Sequence, residues 1–102
     1  MSPEELRSTF ASTPGGVMTE EVGAVTGELE LLTRPAEGAI EVLVRYVGAE
    51  EWYAVEGGPV PLESETDLGE LHERIVKHLT SSGKMVNGNE QPASLASFSA
   101  AS

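Results

Sequence analysis

Hydrophobic and polar residues alternate along the stretch from Ala39 to Glu56, AIEVLVRYVGAEEWYAVE. A period of two is typical of a half-buried β-strand. Within the stretch, Gly48-Ala49 predicts a two-residue turn, because glycine adopts a positive φ without steric cost. The pattern therefore predicts a β-hairpin in which Val44 pairs with Tyr53.

The register of this hairpin sorts its side chains onto two faces, because directly opposed residues share a face. Face one is apolar and aromatic: Ile40, Val42, Val44, Tyr46, Tyr53 and Val55. Face two is mixed: Glu41, Leu43, Arg45, Trp52, Ala54 and Glu56. We expect face one to be the core face.

A third strand is predicted before the hairpin, where apolar and polar residues again alternate from Val25 to Leu32. A four-residue loop at 35–38 would pair Leu31 with Val42. That register adds three side chains to face two: Glu28, Glu30 and Leu32. The sequence thus predicts a three-stranded antiparallel meander.

The clearest helical pattern begins at Asp67, a residue type that is favourable at a helix N-cap. Apolar residues then recur at helical spacing: Leu68, Leu71, Ile75 and Leu79. We expect this amphipathic helix to pack on face one. A second, short helix is predicted at the N-terminus, where Ser2-Pro3-Glu4-Glu5 has the form of a capping box and Leu6 and Phe10 lie four residues apart.

These elements predict the α+β class, in the order α-β-β-β-α. The C-terminal helix is the longer one and packs on one face of the meander. Residues 1–88 would form a single small domain. Residues 89–102 consist mainly of Ala, Ser, Gln and Pro, and this composition predicts a disordered tail.

The predicted order resembles that of double-stranded-RNA-binding domains. Double-stranded-RNA-binding domains need basic residues at the start of the last helix. The corresponding segment here is Glu63-Ser64-Glu65-Thr66-Asp67. RNA binding therefore does not carry over from the resemblance.

The net charge of the chain indicates which kinds of molecule it is expected to bind. Seventeen acidic residues against six basic ones give a formal net charge of −11. Such a surface repels nucleic acid and anionic lipid and attracts cationic partners. No apolar run approaches the roughly 20 residues of a membrane span, and the start MSPEEL lacks the basic, apolar form of a signal peptide. We expect a cytoplasmic protein that binds neither nucleic acid nor membranes.

No motif for catalysis, metal binding or a cofactor emerges. The chain has no cysteine. His72 and His78 are six residues apart on the predicted helix, roughly 240° around its axis, and could not share a metal. We expect both to be surface residues. The paired glutamates lack the contrasting environments that acid–base catalysis requires.

The strongest candidate site is face two, where an apolar centre has a polar rim, as in protein interfaces. The predicted partner-binding residues are Glu30, Leu32, Glu41, Leu43, Arg45, Trp52, Ala54 and Glu56. We therefore expect a non-catalytic interaction module. It would bind a second copy of itself, as a homodimer, or another protein, and it would do so through face two or a sheet edge. One alternative is a small-molecule-binding domain or small enzyme with a pocket near Tyr46, Tyr53 and His72. Another is an acidic decoy for a nucleic-acid-binding protein.

Overall fold

The computed structural model describes residues 5–61, 67–80, 85–86, 89–90 and 92–98, and the fold there is mostly β. The long strands are β1 (Leu6–Ala11), β4 (Glu28–Ala36) and β5 (Ala39–Tyr46). The short strands are β2 (Val17–Thr19), β3 (Gly23–Val25), β6 (Tyr53–Ala54), β7 (Val60–Pro61), β8 (Met85–Val86) and β9 (Asn89–Glu90). One α-helix, α1, spans Leu68–Leu79, and a single 3₁₀ turn spans Leu95–Ser97.

Five strands form the central antiparallel sheet in the order β1-β4-β5-β6, with β7 also paired to β5. Two further antiparallel ribbons consist of β2 with β3 and of β8 with β9. The predicted α-β-β-β-α meander is therefore wrong. The sheet has two additional strands, and the described part of the chain contains α1 as its one α-helix.

The predicted N-terminal helix is wrong because Leu6–Ala11 is the edge strand β1, paired with β4 from Leu6 opposite Thr33 to Ala11 opposite Glu28. Its half-buried and exposed residues alternate. A spacing of four between two apolar residues fits a helical face, but it also places both residues on one face of a strand. Pairing with β4 decides between the two conformations.

The β4–β5 hairpin turns more tightly than predicted, at Glu37-Gly38, where Gly38 has φ 78°. As a result, Leu31 lies opposite Val44 rather than Val42. The predicted register is thus wrong by two residues. Because side chains alternate with a period of two, this slip leaves each residue on its predicted face.

The predicted pairing of β5 with β6 is confirmed, since Val44 lies opposite Tyr53 and Leu43 opposite Ala54. The intervening turn closes one residue earlier than expected, where the Ala49 N–H donates to the Tyr46 carbonyl at 2.9 Å. Gly48 has φ 88°, the positive value expected for it.

Helix α1 is confirmed, and it begins at the predicted cap. The Asp67 carboxylate accepts hydrogen bonds from the N–H groups of Gly69 (2.8 Å) and Glu70 (3.2 Å). The buried side chains of α1 join face one in a single core. That core includes Leu71, Ile75 and Leu79 from the helix and Leu29, Leu31, Ile40, Val42, Val44 and Val55 from the sheet region.

Residues 92–98, which we expected to lie in a disordered tail, have a defined place against the core. Ala93 and Leu95 are buried. Backbone hydrogen bonds join the Ala93 N–H to the Gly16 carbonyl (2.8 Å) and the Leu95 N–H to the Glu56 carbonyl (2.7 Å). Small residues let this segment approach closely, and Leu95 supplies its apolar contact.

Gly57 provides a test of this docking. Both Gly57 (φ 96°) and Gly38 (φ 78°) have positive φ, but a Cβ at Gly57 would overlap the backbone of Leu95 and Ala96, whereas one at Gly38 meets open space. We expect Gly38→Ala to cost about 1–2 kcal/mol of unfolding free energy from backbone strain. Gly57→Ala should cost more, because the C-terminal segment must also move. Chemical denaturation of both variants measures the difference, and equal losses would contradict the docking.

Candidate protein-binding face

The sheet places the predicted site residues of face two in rows that cross β1, β4, β5 and β6. One row runs Arg7, Leu32, Leu43, Ala54, and the next runs Thr9, Glu30, Arg45. Helix α1 lies on the opposite side of the sheet, where its buried side chains meet face one. The pairing therefore brings together residues that are distant in sequence.

Trp52 lies on this face close to two guanidinium groups and is half-buried. The Cζ of Arg45 is 4.4 Å from the indole centroid and that of Arg7 is 5.8 Å from it. Cation–π contacts at exposed sites contribute about 0.5–1 kcal/mol each. Arg45 is itself held by Glu30, whose carboxylate accepts from Nε and lies 2.7 Å from both Nε and Nη2. The indole thus has a defined position on the sheet.

Ion pairs make the charged part of face two locally neutral. Arg34 lies 2.9 Å from Glu41 and 3.8 Å from Glu5, and Arg7 lies 3.7 Å from Glu5. With Arg45 and Glu30, three arginines balance three glutamates. This balance contrasts with the net charge of −11 on the whole chain. Exposed ion pairs add little stability, so their main effect is on the charge that the face presents.

The predicted site residues differ in accessibility. Leu32 is only 3% exposed and lies outside the main core cluster, so the surrounding face-two side chains cover it. Leu43 and Ala54 are half-buried, and Glu56 is exposed. Beside Leu43 and Ala54 is an open cleft of about 240 Å³, lined also by Glu20, Glu41 and Pro59.

Arg7, Arg34 and Glu5 belong to this face but are absent from the predicted set. The predicted N-terminal helix contains Arg7 and Glu5 and therefore excludes them from the sheet. The alternation of Arg7 and Thr9 with Leu6, Ser8 and Phe10 was the available signal. Arg34 follows from the alternation of β4 continued two residues beyond Leu32.

The prediction that His72 is a surface residue is wrong, since its side chain is 4% exposed on the sheet-facing side of α1. Its Nε2 lies 2.8 Å from the Ser8 hydroxyl on β1, and its Nδ1 lies 2.7 Å from the Thr33 hydroxyl on β4. A neutral imidazole has one donor and one acceptor, so it accepts from one hydroxyl and donates to the other. Ser8 and His72 have the spacing of a nucleophile and its base. We interpret the group as a structural tie, because it is buried and joins the helix to two strands.

Burial lowers the pKa of His72 below its ordinary value of 6.5, and the nearby Glu73 carboxylate opposes the shift. The cause is desolvation, which penalises the charged imidazolium. His72 is therefore neutral at pH 7.

The alternative pocket formed by Tyr46, Tyr53 and His72 is not assembled. Tyr46 lies opposite Leu29, whereas His72 contacts Thr33, four residues further along β4 and thus about 13 Å away. Tyr46 is also 42% exposed, and the Tyr53 hydroxyl donates to Glu51. Within the described ranges, no group of three or more His, Asp or Glu side chains could hold a metal ion.

Comparisons with known proteins assign no relative. No protein-family model matches the chain, and no curated protein or solved structure matches it significantly. In the part of the chain that the structure describes, no helix is long and apolar enough to cross a membrane.

The His72 tie predicts a pH-dependent stability. Below pH 6.5, His72 is protonated in the unfolded chain but stays neutral in the folded chain until the pH reaches its lower folded pKa. The free energy of unfolding therefore falls as the pH drops from 6.5 towards that pKa. The slope should reach at most about 1.4 kcal/mol per pH unit. Urea denaturation between pH 7.5 and 5.5 measures it.

His72→Gln is the matched control, because an amide can also hydrogen-bond both hydroxyls but does not titrate in this range. We expect its stability to change less with pH than that of the wild type. An NMR titration midpoint for His72 at or above 6.5 would contradict this interpretation.

Proposed function

We propose that this chain is a non-catalytic protein-interaction module that binds another protein through face two. The observation that carries the proposal is the half-buried Trp52 with Arg45 and Arg7 near its ring, on the face opposite α1. Tryptophan and arginine are the commonest energetic anchors of protein interfaces.

The anchors are ordered before any partner arrives. Glu30 holds Arg45, Arg45 covers the indole of Trp52, and Leu32 is buried beneath the surrounding side chains. Association normally costs about 0.5–1.5 kcal/mol for each flexible side chain that becomes fixed. Prior ordering reduces that cost and supports a binding role for the face.

Charge indicates the kind of protein that fits. The centre of face two is balanced, and exposed carboxylates of Glu28 and Glu56 lie towards its ends. A partner with an apolar centre and a basic rim is complementary to this arrangement. The net charge of −11 would speed the encounter with such a partner by long-range attraction. It disfavours nucleic acid and anionic membranes.

Two substitutions test the face, each with a matched control at the exposed Val22 in the β2–β3 connection. Trp52→Ala and Leu43→Glu should remove bound protein in affinity capture, by about tenfold or more, since loss of one anchor costs about 2 kcal/mol. Val22→Ala and Val22→Glu should retain it. All four variants should unfold cooperatively, as checked by thermal denaturation. Equal capture by the Trp52 and Val22 variants would show that face two is the wrong surface.

A further inference from the structure

The outer edge of β1 carries backbone groups that no described strand pairs. The Ser12 N–H donates to the Gly27 carbonyl at 2.9 Å, and this fixes the alternation of the β1–β4 ladder. Ser8 and Phe10 therefore hydrogen-bond towards β4. The N–H and C=O groups of Arg7, Thr9 and Ala11 point outward, and all three residues are exposed.

The other side of the sheet is protected differently. The Glu20 N–H donates to the Ala54 carbonyl (2.9 Å), and the Glu56 N–H donates to the Met18 carbonyl (2.9 Å). The β2 region thus occupies the outer edge of β6. Among the described strands of the central sheet, β1 is the long one with an open edge.

The β1 edge has little of the usual protection against strand pairing. Natural edges carry prolines, charged side chains or bulges, and Arg7 is the one charged residue of β1. Residues 6–11 are LRSTFA, and no carboxylate occurs between Glu5 and Glu20 in a chain with seventeen acidic residues. The negative charges of two copies repel one another over the rest of the surface, but this repulsion is weakest along β1, so the copies can approach there.

We propose that two copies of this chain pair through β1, antiparallel, about a two-fold axis at Thr9. Outward residues must oppose outward residues, so Thr9 faces Thr9 of the second copy and Arg7 faces its Ala11. In this register every outward N–H and C=O of the three residues has a partner. A register centred on Ser8 would instead place Ala11 opposite Glu5 of the second copy, which lies outside β1.

Charge complementarity supports the same register. Ala11 lies opposite Glu28 within each sheet. Arg7 of one copy would therefore lie in one row with Ala11 and Glu28 of the other, two strand spacings or about 10 Å from Glu28 between Cα atoms. Arginine and glutamate side chains together span that distance over a small alanine. The two-fold symmetry forms this ion pair twice.

The axis is perpendicular to the sheet, so the two five-stranded sheets become one continuous sheet with both copies of face two on the same side. This inference differs from the proposed function, because the pairing uses backbone groups of β1 and an ion pair from Arg7 to Glu28 and does not require Trp52. A bound partner would meet two Trp52 sites on one surface.

Cysteine cross-linking tests the register directly, because the natural chain has no cysteine. Under mild oxidation, Thr9→Cys should form a disulfide-linked dimer, since the two residues oppose each other across the axis. Ala11→Cys should not, because its copies would lie about 13 Å apart. Val22→Cys controls for random collision. Cross-linking of Thr9→Cys no faster than Val22→Cys would overturn the proposal.

Sedimentation equilibrium tests the association without a covalent bond. Thr9→Pro removes an outward N–H but keeps the bonds to β4, and it should raise the dimer dissociation constant by about tenfold or more. Arg7→Glu keeps the backbone of β1 unchanged but removes the ion pair with Glu28 of the second copy, so it should also weaken the dimer. Adding Glu28→Arg reverses both charges and should restore the dimer. Trp52→Ala should leave the dimer intact, which separates this proposal from that for face two. A monomeric wild type, or a dimer unaffected by Thr9→Pro and Arg7→Glu, would overturn it.

Discussion

The structure depends on the packing of one helix against one face of a five-stranded sheet. Leu71, Ile75 and Leu79 supply the apolar contact, and His72 adds hydrogen bonds to hydroxyls on β1 and β4. These bonds fix the edge strand as well as the helix, because Ser8 belongs to β1. A buried imidazole that is bonded at both nitrogens avoids the cost of an unsatisfied polar group. Because α1 covers only face one, the side chains of face two contact one another instead of the helix.

Sequence patterns predicted the parts of the fold in which local and tertiary preferences agree. Alternation placed the β4 and β5 residues on the correct faces even though the β4–β5 register was two residues off, since a shift of two preserves facing. The Asp67 cap and the apolar spacing located α1. His72 lies four residues after Leu68 and three before Ile75, so helical spacing already put it on the buried side. Its polar character led to the wrong prediction.

The remaining errors come from tertiary contacts that local patterns do not contain. Leu6 and Phe10 fit either a helix or a strand, and only the pairing of β1 with β4 selects the strand. Residues 92–98 have a composition typical of disorder, yet Gly16 and Glu56 supply the backbone partners that fix them. Because β1 was predicted as a helix, the predicted set of face-two residues was incomplete. Trp52, Leu43 and Arg45 were placed on face two, while Arg7, which completes the indole's surroundings, was not.

The two proposals use different surfaces. Face two, with Trp52, would bind another protein, and the backbone edge of β1 would pair with a second copy of the chain. Acrylamide quenching of the single tryptophan, across a dilution series that spans the monomer and the dimer, tests the central claim that Trp52 is presented on an open face. The account predicts partial quenching that does not change with concentration, because Trp52 is half-buried in one copy and pairing through β1 does not cover it further. Complete protection from acrylamide, or protection that increases with concentration, would show that Trp52 is not presented on an open face and would contradict the account.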